Sequence, residues 1–180
     1  SKFELASVSK PLTGVGVMQL VEAGKLRLDQ TVTEFFPDFP FPGVTIQQLL
    51  SHRSGLPNYV YFSEDHWKDR KKGMSNMDAM ALLAEHKPNR YVAPDGRFHY
   101  NNSNFMVLAS IVEKVTGQDF AVYMQENVFK PAGMKNTAIL SRAVYEKIPT
   151  DVIGHDKTWR RSVVQNYLDG PVGDKGAYST

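Results

Sequence analysis

Ser7 and Lys10 stand three residues apart in Ser7-Val8-Ser9-Lys10, at the start of a segment whose apolar residues recur at helical spacing. Positions three apart on a helix share a face, so the hydroxyl and the amine can touch. A serine hydroxyl attacks a carbonyl only when a neighbour takes its proton. A lysine can do so only where burial or nearby positive charge favours its neutral form. Lys10 is flanked by Val8, Pro11 and Leu12 on a helix expected to be internal, which meets that condition. The helix N-terminus adds partial positive charge near Ser7, where an oxyanion would develop. A second candidate group is Tyr100-Asn101-Asn102, directly ahead of the strongest helical pattern in the chain. A phenol can relay a proton and a carboxamide can hold a substrate carbonyl; equally, Tyr100 can be a packed aromatic and Asn102 a helix N-cap. Ser and Lys three apart recur by chance about once in a chain of this length. On its own that pair is explained as well by a capping serine followed by a surface lysine.

Other chemistries find little support. The five histidines, His52, His66, His86, His99 and His155, show no H-x-x-x-H or H-E-x-x-H spacing, so no metal site is expected. His52, beside the turn from Ser51 to Pro57, reads as a hydrogen-bonded structural residue. With no cysteine, disulfides, thiolate metal sites and a cysteine nucleophile are ruled out. Neither a phosphate-binding glycine loop nor a G-x-S-x-G elbow is present, which argues against nucleotide cofactors and an α/β-hydrolase triad. The net charge of +2 is too small to imply nucleic acid or an anionic membrane as the main partner. The densest cationic run, Lys68-Asp69-Arg70-Lys71-Lys72, reads as a solvated loop. No stretch approaches 18 apolar residues in a row, and Ser1 to Leu5 carry no secretory signal.

The elements that must position these groups are mostly helical. From Lys10 to Ala23 apolar residues cover most of the circumference, which predicts a buried helix. Gly14 and Gly16 within it suggest close approach of another backbone, and Gly24 stands at the left-handed C-cap position. Thr45 with Gln48, and Ser75 with Asp78, form capping boxes that open two further helices. Phe105, Leu108, Ala109, Val112 and Val115 mark the strongest one, beginning near Asn102 and closed by Gly117. A fifth is predicted from Asp119 to about Phe129, stopped by Pro131. Strand signals are short: Phe3 and Leu5, Arg90–Val92, Arg97–Tyr100 and Val163–Val164. At 180 residues, with 42% hydrophobic and 22% charged residues, the chain suits one folded domain of mainly helical character.

Several stretches together resemble the class C serine β-lactamases and their relatives: penicillin-binding proteins, D-aminopeptidases and esterases. Phe3–Thr13 is similar to the family's nucleophile helix and Val21–Asp29 to the stretch after it. Thr45–Pro57 resembles its most recognisable structural segment, Pro94–Asn104 carries the Y-x-N element, and Lys130–Thr137 resembles a later one. The resemblance implies an α+β, β-lactamase/transpeptidase-like fold, of which residues 1–180 would be the helical region with few strands, a partial domain truncated at both ends. It implies Ser7 as the acylated nucleophile, Lys10 as its proton partner, Tyr100 as general base or relay, and Asn102 as the ligand of the substrate amide and of Lys10. Acyl transfer from an amide, β-lactam or ester to Ser7, then release to water, is the implied reaction. The alternative is a relative that is acylated without turnover and binds or senses penicillin or peptidoglycan.

No metal or organic cofactor is implied, and the implied substrate is a small molecule or peptide. The family's third motif, Lys or His followed by a small residue and Gly, is not found after Tyr100. The strand bearing that motif supplies one of the two oxyanion donors, so these residues alone are expected to be nearly inactive. They are also expected to expose apolar surface that meets missing sheet segments of the same protein or a second copy. A periplasmic or extracellular location follows from the resemblance alone.

Overall fold

Asn101, in an extended conformation, accepts a hydrogen bond from the Ser103 amide and opens the longest helix, α5 (Asn102–Thr116). Gly117, at φ +68°, closes it in the left-handed conformation that glycine adopts without strain. In the computed structural model, which describes residues 1–141, 152, 154, 155, 157–160 and 167–180, α5 is the centre of the molecule. Every residue from Ser103 to Val112 is buried. Five helices pack on it: α1 (Ser9–Glu22), α2 (Ile46–Leu50), α3 (Tyr59–His66), α4 (Asn76–His86) and α6 (Phe120–Met124). Each fully buried Leu, Ile or Val side chain of α5 contributes roughly 1.5–3 kcal/mol by leaving water.

The helix expected to be wholly internal is α1, and the structure corrects that. Its inward stripe is Ser9, Lys10, Thr13, Gly16, Val17 and Leu20, whereas Val15 and Met18 are exposed. Apolar residues all round do not choose a face. Here the polar residues choose it, because Ser9, Lys10 and Thr13 bond to the returning chain at residues 173–177. Gly16 does mark a close approach, but by side chains rather than a backbone. A Cβ there would meet Met124 Sδ at 2.8 Å, and Tyr123 donates its hydroxyl to the Gly16 carbonyl at 3.1 Å.

The capping boxes at Thr45 and Ser75 form with Gln48 and Asp78 as their spacing predicts. Asp119 caps α6, which runs directly into a π-helical turn over Gln125–Phe129. The helix α3 was not expected; its aromatic and polar residues show no apolar period, and its start is fixed by the Asn58 side chain accepting from Val60 N–H.

Three short strands form one antiparallel sheet in the order β1 (Phe3–Glu4), β3 (Ala177–Ser179), β2 (Ala138–Ile139). Phe3 faces Ser179, and Ile139 faces Ala177. The segments Arg90–Val92 and Arg97–Tyr100 are not strands. Their amides bond singly to a curled loop, Tyr91 to the Gly55 carbonyl and His99 to the His52 carbonyl, and His52 and Gly55 have φ of +56° and +69°. No ladder can extend along such a partner. The Val163–Val164 strand lies outside the described residues. Among the described residues no helix is long and apolar enough to cross a membrane.

Candidate active site

Ser7 lies in a 3-10 turn, Ala6–Val8, that leads into α1. In such a turn side chains three apart nearly eclipse, and the Lys10 amine donates to Ser7 Oγ at 3.0 Å. The serine is exposed and the lysine, 4% exposed, lies beneath it. Across the cleft Tyr100 donates its hydroxyl to Ser7 Oγ at 2.8 Å. The Lys10 amine also sits 4.8 Å from the centre of the Tyr100 ring. Ser7 Oγ is thus within proton-transfer distance of a buried amine and of an exposed phenol. The adjoining cleft of about 580 Å³ is walled mainly by apolar residues, including Val8, Pro11, Leu50 and Phe105.

Tyr100 is held by the ring of His52, whose centroid is 4.6 Å from its own. The imidazole in turn rests on Phe105 of α5 at 5.1 Å. His52 Nδ1 receives the Asn101 main-chain N–H at 3.1 Å and lies 3.0 Å from Asn104 Nδ2. A main-chain amide can only donate, so Nδ1 is unprotonated and the ring proton is on Nε2. Ser54 donates to Asn104 Oδ1 at 2.5 Å, and Ser103 Oγ links the Pro57 carbonyl to the Tyr59 amide. The segment 52–59 and the residues just after Tyr100 are therefore one polar unit, which is why both carry so many small polar side chains.

Burial, then the positive field of Lys10 and of His99, pushes His52 down to about 4. The ordinary value is higher, so between the two the unfolded chain binds a proton that the folded chain refuses. This contribution to stability is complete above pH 6.5 and is lost as the pH falls towards 4. Replacing His52 with Asn keeps an acceptor at the Nδ1 position and suits the left-handed backbone. The variant should be less stable at pH 7, through lost ring packing, yet lose less on acidification. Urea unfolding at pH 7, 5.5 and 4.5 should show the wild type falling more steeply, by up to about 1 kcal/mol per pH unit.

Asn102 departs from its expected placement in two ways. The N-cap is its neighbour Asn101, and Asn102 is the first residue of α5. No hydrogen bond joins it to Lys10; its Oδ1 is buried without a hydrogen-bond partner. Lys10 bonds instead to the main-chain carbonyl of Asp174, at 2.8 Å. Asp174, Tyr59 and Lys175 were missed by sequence reasoning. Their only signal is the Gly173-Asp174-Lys175-Gly176 turn, whose glycines take φ of +101° and +97°. Gly173 must be glycine, because a Cβ there would collide with the Phe105 carbonyl and with Ala109. That contact seats the turn on α5, and the Thr13 hydroxyl donates to the Gly173 carbonyl at 2.7 Å.

The family model described as Beta-lactamase matches residues 1–180. Penicillin-binding protein 4* of Bacillus subtilis is 35% identical over 186 aligned residues, which take in 97% of this chain and 41% of that protein. A crystal structure of the penicillin binding protein from Bacillus halodurans is similar at a TM-score of 0.81 and 36% identity, covering 100% of this chain and 55% of that one. The D-stereospecific amidohydrolase from Streptomyces sp. has the same fold, with a TM-score of 0.80 at 19% identity over 99% of this chain and 57% of its own. The chain therefore spans about half, or less, of the length of these relatives. Matched from end to end by one family model, and folded as the helical part of the β-lactamase/transpeptidase architecture, it belongs to the beta-lactamase family.

Proposed function

We propose that this chain carries the nucleophile of a serine hydrolase that forms an acyl-enzyme on an amide, β-lactam or ester. The single observation that carries the reading is the convergence of Lys10 Nζ and Tyr100 OH on Ser7 Oγ, at 3.0 and 2.8 Å. A carbonyl carbon brought against Ser7 gives up the π bond to its oxygen as the Ser7 Oγ–C bond forms, and the carbonyl returns as the C–N or C–O bond to the leaving group breaks. The serine proton passes to Lys10 or Tyr100, whichever has given up its own. Tyr100 faces the cleft and can hand a proton to the departing nitrogen or oxygen. The Asn102 Oδ1 at the start of α5 is buried and unpartnered, so its carboxamide must turn towards the cleft to take up a donor of the substrate. The apolar walls suit an uncharged group beside the scissile bond. By kinship with penicillin-binding proteins, we place the activity outside the cytoplasm.

The test uses the natural gene product, with whatever flanks residues 1–180, and a fluorescent penicillin alongside a chromogenic ester. The expected result is a covalent adduct on Ser7, located by peptide mass, that Ser7→Ala lacks. Steady turnover marks a hydrolase. A stable adduct marks a penicillin binder, the reading that the names of the two Bacillus relatives favour. Neither adduct nor turnover by the wild type, or an equal adduct on Ser7→Ala, overturns both.

A further inference from the structure

We infer that the cluster of Tyr59, Asp174 and Lys175 positions the Lys10 amine and sets its charge balance. In this assignment Asp174 is a positioning residue and Lys175 the counter-charge of its carboxylate. This deepens the reading of Ser7 and Lys10 as an acylating pair and rests on it.

The geometry is specific. The Asp174 carbonyl receives one of the three amine donors of Lys10, and Ser7 Oγ receives another. The Asp174 carboxylate is buried, and its Oδ2 accepts from the Tyr59 hydroxyl at 3.0 Å. The Lys175 amine donates to that hydroxyl at 2.6 Å and lies 3.7 Å from Oδ2. Tyr59 is itself fixed, since its amide donates to Ser103 Oγ at the head of α5. A chain of bonds thus runs from Lys175 through Tyr59 to the carboxyl of the residue whose carbonyl holds the catalytic amine. Gly173 and Thr13 clamp the same turn from the other end.

A buried carboxylate on the residue whose carbonyl holds Lys10, and within reach of its charge, would, unbalanced, favour the ammonium form and weaken the amine as a proton acceptor. Lys175, whose side chain is 21% exposed, supplies the opposing charge 3.7 Å from that carboxylate. Burial pushes the Asp174 carboxyl up, while Lys175, Lys10 and the Tyr59 hydroxyl act in the opposite direction. Lys10 is faced by Tyr100 and His52 on the cleft side and by Asp174, backed by Tyr59 and Lys175, on the other; Asp169 adds its field at Tyr59. Asp174 and Lys175 carry opposite charges 3.7 Å apart, so removing either one alone acts on Lys10 in the sense opposite to removing the other.

The experiment follows the Lys10 amine by NMR in the natural gene product labelled with 13C,15N-lysine, its signal assigned by loss in Lys10→Met. Lys175→Met should raise the midpoint of the Lys10 titration by at least about half a pH unit, a threefold gain in proton affinity. Asp174→Asn should lower it, and the double variant should return it close to wild type. The acid limb of Ser7 acylation should move with the midpoint in each case. Single variants that leave the Lys10 titration unmoved, or that shift it in one common direction, overturn the proposal. Because Lys175 is partly exposed, Lys175→Met decides the matter even where Asp174→Asn does not fold. The NMR readout needs no substrate, so titration shifts in the variants beside a wild type that shows neither adduct nor turnover would sink the acylation reading and leave this one standing.

Discussion

Lys10→Met should cut the rate of Ser7 acylation by about a thousandfold or more, some 4 kcal/mol of barrier, with little loss of folded protein. The two parts of that expectation have separate causes. Methionine fills the same buried channel between α1 and the 173–176 turn without bringing a charge. What is lost inside is the bond to the Asp174 carbonyl, which leaves one buried acceptor unpaired and costs about 1–3 kcal/mol of stability. Removing an amine from a site only 4% exposed offsets part of that cost. At the surface, Ser7 Oγ loses the donor at 3.0 Å that also steadies its position. Lys10→Arg should not rescue the rate. A guanidinium never gives up its proton near neutral pH, and it is too large for the space bounded by Ser7, the Tyr100 ring and the Asp174 carbonyl. The measurement is the second-order rate of labelling by an activated ester, with urea unfolding as the control. A Lys10→Met protein that labels within tenfold of wild type would remove Lys10 from the chemistry.

How far these features could be read from the residues varies with the range of the interaction. Ser7 and Lys10 share a turn, so local geometry alone brings them together. The capping boxes at Thr45 and Ser75 are equally local and form as their spacing requires. Tyr100 reaches Ser7 only through tertiary structure, and nothing in its own neighbourhood shows that; its placement depends on His52 standing behind it. The choice between Asn101 and Asn102 as cap rests on which residue takes the extended backbone, and two adjacent asparagines give no hint of it. Asp174 was invisible because its contribution to Lys10 passes through a main-chain carbonyl, which every residue type possesses. The exposed side of α1 escaped for a different reason. A helix apolar on all faces carries no periodic signal of which side meets its neighbours, and the polar stripe of Ser9, Lys10 and Thr13 decides it only once the returning strand is in place.

Tyr100→Phe should lower acylation by about a hundred- to ten-thousandfold while leaving unfolding nearly unchanged. The ring makes two contacts that do not involve its hydroxyl: with the His52 imidazole at 4.6 Å and with the Lys10 amine at 4.8 Å from its centre. Phenylalanine keeps both, so the ring stays in place and only the 2.8 Å bond to Ser7 Oγ disappears. Tyr100 is 47% exposed, so no buried polar group is orphaned by the change. The loss should depend on the leaving group. An ester with a good leaving group, such as a nitrophenolate, departs without a proton, whereas an amine must receive one. If Tyr100 hands the proton over, Tyr100→Phe costs far more with an amide or β-lactam than with the activated ester. If Tyr100 only accepts the proton of Ser7, both substrates fall together, because attack is the same step in each. Comparing the two ratios on one enzyme preparation separates these roles, and an undiminished rate with both substrates would leave Lys10 as the sole proton partner of Ser7.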